Sequence, residues 1–394
     1  MPLLSQVALR AIDSLVTAEG WPMASAPPSK SEPIGRYATL YGRDSLITAL
    51  QVLPVRPAIA AATLRVLGER QGRTTDELVA EEEGKILHED WLEAPAWHQQ
   101  RRWQKTSTGG LRYFGTVDAT PLYLILAAHL RAQGPTVDMA LGWLRKSLSA
   151  SGLLTYTGHH SGGLYHQGWR DGIWDKGDVG VRWPDGSHVE GPVAVASAQA
   201  FAYEALRLHG FEADAVDLAN AVDKAFFRHS EEWPALAVDG QGRAVSTMAS
   251  EIGILLWSGI LKPARIEPAV DAVASLCSRW GLRTISPTHP SFSPTAYHLG
   301  AIWPFECWLA WGGLRRVGAD DVADVVRHGV LEAIARLGAM PECYGAPLND
   351  GDPIIPTRAT HTQAWTAGAV WALENEWDAI LAAPVIDQSR PRLA

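Results

Sequence analysis

Cysteine is scarce in this chain. Cys277, Cys307 and Cys343 lie far apart with no CxxC, which excludes a disulfide framework or a zinc knuckle and leaves reduced thiols as the default. Positive charge is also short: 34 Lys and Arg stand against 43 Asp and Glu, a net charge of −9. There is no basic footprint for a phosphate backbone, so nucleic acid is not an expected partner. No run approaches the length of a membrane span, and Met1 to Arg10 lacks a basic start leading to an apolar block and a cleavage site. These absences predict a cytoplasmic chain with neither a span nor a secretory leader. Low-complexity tracts and repeats of roughly 20–50 residues are missing too, which removes a consensus solenoid. Phenylalanine is rare at 7 residues, whereas tryptophan reaches 17. An indole is hard to bury whole because its N–H needs a partner, so the excess predicts a wide, partly wet cavity lined by aromatic faces.

What is present is helical periodicity. Leu4, Val7, Ala8, Ala11, Ile12 and Leu15 form one stripe and Leu122, Ile125, Leu126 and Leu130 another. In the second, Thr120 is the expected cap and Pro121 the first helical residue. Continued along the chain, the pattern predicts twelve helices over 4–18, 44–54, 57–71, 120–133, 136–149, 191–209, 213–229, 247–257, 264–278, 301–317, 319–338 and 361–382. Links after even-numbered helices are short, as at Gln133-Gly134-Pro135, while those after odd-numbered helices are usually long. The spacing suits a closed ring of helical hairpins, even helices inside and odd ones outside, with the long loops at one end. No linker divides the chain, which reads as a single all-α domain over 1–386 with a tail over 387–394.

The long loops carry five polar clusters: Tyr41-Gly42-Arg43-Asp44, Lys85 to Glu89, Gly115 to Asp118, Gly168-Trp169-Arg170-Asp171-Gly172 and Pro341 to Gly345. Each sets a carboxylate beside an aromatic residue or a glycine. With no phosphate loop and no metal spacing, such a site suits a neutral polyhydroxylated ligand. Carboxylates accept hydroxyl hydrogen bonds, and an indole face covers the C–H side of a sugar ring. A small carbohydrate is therefore the expected partner, with no metal and no cofactor. Hydrolysis of a glycoside needs two carboxyl groups, one to protonate the leaving oxygen and one to activate water or attack. Two other classes stay open. A sugar isomerase or epimerase would act through His88, His166, His298 and His361, and a non-catalytic carbohydrate-binding protein would keep the aromatic platform and Asp44 alone. Glu190, before Gly191-Pro192, reads as a helix cap, and Trp257, Trp280 and Trp371 read as packing residues.

Nine stretches, in one order, resemble the six-hairpin glycosidases, and among them the amylo-α-1,6-glucosidase-like and glucosylglycerate or mannosylglycerate hydrolase-like α-glycosidases. They are YGRDSLITALQVL (41–53), GKILHE (84–89), YFGTVDATPLYL (113–124), YHQGWRDGIWD (165–175), VEGPVAVASAQAFAY (189–203), GLRTIS (281–286), YHLGAIWPFE (297–306), MPECYG (340–345) and TQAW (362–365). The resemblance implies an (α/α)6 barrel and an inverting α-glycosidase, with Asp171 as general acid and Glu342 as general base. It implies that Asp44 and Arg43 grip the terminal sugar. Tyr41, His88, Glu89, Asp118, Gln167, Trp169, Arg170, Tyr297, His298, Trp303 and Gln363 would surround the same subsite, with Trp174 completing the aromatic lining. The chain departs from the family pattern at Arg170 and Gly172, where Lys and Ser are usual, and at Phe305-Glu306-Cys307, where His-Asp-Asn is usual.

Overall fold

Each predicted helix forms. The computed structural model describes residues 3–29, 36–93, 110–149, 151–158, 163–172, 180–230, 232–349 and 351–380. In chain order the helices are α1 (Leu4–Leu15), α2 (Gly42–Val52), α3 (Pro57–Glu69), α4 (Ala119–His129), α5 (Pro135–Ser149) and α6 (Ala196–Leu208), followed by α7 (Glu212–Phe226), α8 (Glu251–Ser258), α9 (Pro263–Leu276), α10 (Pro304–Arg316), α11 (Asp320–Leu337) and α12 (Ala364–Glu374). The expected tail falls outside the described residues.

The even helices close a ring: α2 packs on α4, α4 on α6, α6 on α8, α8 on α10, α10 on α12, and α12 returns to α2. Odd helices sit outside, α3 across α2 and α4, α7 on α6, α9 on α8, α11 on α10 and α12, and α1 on α12. Sequence explains the layering. Every residue of α2 and α8 is buried, as are α10 up to Leu314 and α12 up to Leu373, whereas α7 buries only Ala215, Leu218, Val222 and Phe226, the stripe of an amphipathic helix. Small residues bring inner helices together. A Cβ on Gly253 of α8 would lie 2.4 Å from the Ala310 Cβ of α10, so only glycine permits this crossing. The chain is an (α/α)6 barrel.

Helix ends depart from the sequence reading for local reasons. Three-residue strand β4 (Val193–Val195) precedes α6, so the helix starts five residues later than predicted, and exposed Glu190 is no helix cap. In α4 the cap position belongs to Asp118, while Thr120 Oγ1 accepts the Ile86 backbone N–H at 2.9 Å. Pro304 takes the first position of α10 and Trp303 before it is extended. The α12 helix stops at Glu374, two residues before Glu376 enters the left-handed region at φ 54°. The remaining strands, β1 (Leu40–Tyr41), β2 (Glu89–Trp91), β3 (Leu111–Tyr113), β5 (Ala237–Asp239), β6 (Ala244–Val245), β7 (Cys277–Ser278) and β8 (Gly281–Leu282), are too short to show an alternating pattern in sequence. They form three antiparallel sheets, β1-β2-β3, β4-β5-β6 and β7-β8. Among the described residues no helix is long and apolar enough to cross a membrane.

Candidate active site

Inner-helix N-termini carry the polar side chains. Arg43 and Asp44 sit in the first turn of α2, Asp118 immediately precedes α4, Glu251 opens α8, Glu306 lies in the first turn of α10, and Gln363 immediately precedes α12. Unpaired backbone N–H groups and the helix dipole favour negative charge at these positions. The small sheet in front of α2 adds more, since Tyr41 pairs with Glu89 and Glu89 with Tyr113 across the three strands. Tyr41 Oη and Trp91 Nε1 both donate to Glu89 Oε2, at 2.8 and 2.6 Å. Gly42 makes the junction possible: a Cβ there would lie 2.1 Å from the Leu87 carbonyl oxygen.

One cation organises the carboxylates. Arg43 Nη1 donates to both oxygens of Asp118 at 3.3 and 3.2 Å, its Nη2 donates to Asp171 Oδ2 at 2.5 Å, and its Nε lies 4.0 Å from Asp44 Oδ2. His88 Nε2 stands 3.9 Å from Asp171 Oδ2 and 4.0 Å from Glu89 Oε1. On the far side of Asp44, Gln363 Nε2 donates to Asp44 Oδ1 at 3.1 Å, and Thr360 Oγ1 donates to Gln363 Oε1 at 2.7 Å. The Thr360 backbone N–H then reaches Glu342 Oε2 at 3.4 Å, while Tyr297 Oη donates to Glu342 Oε1. Asp171 and Glu342 are thus the two ends of one chain of polar contacts running through Arg43, Asp44 and Gln363.

Too many acids face one arginine for all to be charged. Burial pushes the Glu342 carboxyl up to about 8, against the pull of the Tyr297 hydroxyl, with Asp44 and Asp171 adding repulsion. Burial raises Asp44 to about 7 despite Arg43. Asp171 rises to about 6, burial again outweighing its ion pair with Arg43. Its side chain is 26 % exposed, the most open of these three carboxyls.

A second, fully buried network lies behind the Asp171 loop. Arg170 Nε and Nη2 grip Glu251 at 2.5 and 2.9 Å, and the same guanidinium donates to Ser250 Oγ and to the Thr284 and His298 carbonyls. Trp169 Nε1 donates to Glu251 at 2.9 Å. Ser250 Oγ donates to Glu306 at 2.6 Å, and burial together with the Glu251 charge holds the Glu306 carboxyl well above the usual carboxylate range. The ladder contact of His166 with Gly172 and the Tyr165 N–H to Gly172 carbonyl bond close the loop into a tight turn.

Residues 193–366 match the family model described as the mannosylglycerate hydrolase MGH1-like glycoside hydrolase domain. No curated protein sequence matches the chain. Among solved structures, the chain is similar to the GH63 mannosylglycerate hydrolase from Thermus thermophilus in complex with Tris, with a TM-score of 0.65, 15 % identity, and coverage of 94 % of this chain and 99 % of that one. The same Thermus thermophilus enzyme in complex with Tris and D-glycerate gives a TM-score of 0.66 at 14 % identity, with 94 % and 99 % covered. The neutral trehalase from Saccharomyces cerevisiae gives 0.54 at 14 % identity, over 87 % of this chain and 72 % of that one. The chain shares the barrel fold of these enzymes, and its residues 193–366 carry the likeness to a glycoside hydrolase domain.

The fold brings Tyr41, Arg43, Asp44, His88, Glu89, Asp118, Asp171, Tyr297, Glu342 and Gln363 into the connected set above. Several expected residues stand differently. Arg170 is committed to Glu251 and to backbone carbonyls, so it anchors the loop rather than facing a sugar. Gln167 donates to the Thr157 carbonyl at 3.2 Å, and its own carbonyl ties the loop to Val117. Trp169 and Trp303 are each 2 % exposed and pack at 5.4 Å from one another with Phe305, while His298 stacks on Trp303 at 5.5 Å. Both indole N–H groups have protein partners, Glu251 and the Tyr297 carbonyl. These two rings back the site wall and do not offer an open face to a sugar. Trp174 lies outside the described residues.

The isomerase arrangement does not form. His166 is buried on Tyr156 at 2.7 Å with its pKa lowered to about 3 by burial, and His361 is exposed. Sequence reasoning missed Glu251, Ser250 and Thr360, which carry no local motif and matter only through partners on distant loops. Glu306 was read only as a departure from the family pattern.

Proposed function

We propose that this chain is a glycoside hydrolase that removes single sugar units from the ends of small α-glycosides with inversion, Asp171 protonating the leaving oxygen and Glu342 activating water. The observation that carries this reading is the unequal exposure of the two carboxyls at opposite ends of one polar set. Glu342 is 3 % exposed and clasped by Tyr297 and Thr360, whereas the Asp171 side chain is 26 % exposed. In a pocket that admits a chain end, the terminal sugar enters first and the leaving group stays towards the opening. The more open carboxyl is then placed to donate the proton and the enclosed one to hold the water. Arg43, Asp44, Asp118 and Gln363 between them supply donors and acceptors for ring hydroxyls. Names of the similar structures, a mannosylglycerate hydrolase and a trehalase, favour a hexosyl unit on a small acid, polyol or second sugar over a polymer. A digest of a long α-glucan followed in time by chromatography tests the pocket: single sugar units are expected throughout, and early mixed internal oligosaccharides would remove the exo-acting reading. A panel of α-glucosides and α-mannosides ranks the substrates.

Proton order among the site carboxyls runs against these roles, with Glu342 near 8 and Asp171 near 6. The competent form, Asp171 protonated and Glu342 ionised, is then the less populated of the two singly protonated forms. The expected kcat/KM profile is a bell with limbs near pH 6 and pH 8, measured on a slow, non-sticky substrate. A profile flat across that window would remove one of the two carboxyls from the mechanism. The same order favours a second reading in which the roles are exchanged, Glu342 donating and Asp171 acting as base. Chemical rescue separates the two.

A further inference from the structure

Behind Glu342 stands a pair of phenols with no assigned part in the reaction. Tyr297 Oη donates to Glu342 Oε1, and Tyr37 Oη lies 3.3 Å from Tyr297 Oη. A phenol has one proton; with that of Tyr297 committed to an ionised Glu342, Tyr37 is the donor between the two oxygens. The order is Tyr37 to Tyr297 to Glu342. Tyr297 has little freedom to leave this position: its ring packs at 4.7 Å against both His298 and Trp303, its carbonyl accepts Trp303 Nε1 at 2.7 Å, and the Arg358 guanidinium lies 4.8 Å from its ring centre. Tyr37 is braced edge-on against Tyr41 at 5.6 Å.

We propose that Tyr297 is a positioning residue for Glu342, holding the carboxylate ionised and aimed at the attacking water, and that Tyr37 orients the Tyr297 hydroxyl from behind. The inference rests on the reading of Glu342 as general base. Among the described residues the Tyr297 hydroxyl is the side-chain donor on Glu342, and the Thr360 N–H is longer at 3.4 Å. Other groups around the carboxyl act against ionisation or bear on it from further away. Asp44 from α2 and Asp171 from the facing loop repel its charge. Cys343 adjoins it in sequence, and Arg358 and Arg36 lie near the phenols. Removing the Tyr297 hydroxyl takes a hydrogen bond from the charged form alone, so Glu342 must hold its proton to higher pH.

The test is the pH dependence of kcat/KM for Tyr297→Phe and Tyr37→Phe beside the unaltered enzyme, on an α-glycoside it turns over. For Tyr297→Phe, a one-unit rise at the base lowers the rate about tenfold on the acidic side of the bell, while the alkaline side converges on the unaltered enzyme. KM should change little where it can be measured. Tyr37→Phe should give the same pattern, reduced to about two- to threefold, and it carries the test if Tyr297→Phe does not fold. A uniform scaling at all pH values overturns the inference alone, because packing damage has no proton dependence. Unchanged rates on the acidic side with a gain on the alkaline side would mean that Glu342 acts as the acid, overturning the base reading and the inference with it.

Discussion

Asp171→Asn is expected to lower turnover of an unactivated α-glycoside by about a hundredfold to ten-thousandfold, the usual contribution of a positioned general acid. Asparagine keeps the volume and can still accept from Arg43, which also retains its bonds to Asp118, so the charged set should hold together. Sugar binding should therefore survive. What is lost is the proton for the leaving oxygen, and the size of the loss should follow the leaving group. A glycosyl fluoride, or an aryl glycoside with an acidic phenol, departs without protonation and should be cleaved by the variant within roughly tenfold of the unaltered enzyme. Equal losses on activated and unactivated substrates would remove Asp171 as the donor. Near-complete turnover of both would remove it from the mechanism.

The contrast between what could be read from the sequence and what could not follows from the range of the interactions. Buried inner helices read clearly because α4, α8 and α12 are apolar on nearly every side, and α10 opens on Pro304 while α8 ends at Gly259. Amphipathic outer helices such as α7 read from their stripe. Alternating loop lengths then sufficed for the ring and for the end of the barrel that gathers the polar residues. Residues next to each other in a motif, such as Arg43 with Asp44, arrived together because one helix turn presents both. The orientation of each side chain did not follow. Arg170 and Asp171 are neighbours in sequence and face opposite networks, one turned back to Glu251 and the other forward to Arg43. Tryptophan number gives no orientation for a related reason. An indole N–H can be satisfied inside the protein by a carboxylate or a carbonyl, as Trp169, Trp303, Trp257 and Trp308 show, so abundance alone did not require an open aromatic surface.

Removing Glu342 should have an effect of similar size and opposite remedy. Glu342→Ala is expected to lower kcat by about a hundredfold to ten-thousandfold on activated and unactivated substrates alike, because no leaving group can replace the base that activates water. The variant should still fold. A carboxyl raised in the native state contributes stability that is present below its unfolded value, near 4.5, and lost as pH climbs through about 8, so above neutrality its deletion takes away a buried charge rather than a support. Azide, which needs no deprotonation, fits the space vacated by the side chain. It should attack the anomeric carbon as the C–O bond breaks and the Asp171 proton passes to the leaving oxygen, restoring turnover and giving the β-glycosyl azide from an α-glycoside. The unaltered enzyme should release the β-sugar first, as NMR of a fresh digest would show, since inversion needs the two carboxyls roughly 6.5–9.5 Å apart with water between them. An α-sugar as the first product would mean direct attack by a carboxylate and retention. If azide instead rescues Asp171→Ala, and Glu342→Ala recovers only with activated leaving groups, the exchanged roles hold, and the proton order of the two carboxyls, Glu342 above Asp171, is also the order used in catalysis.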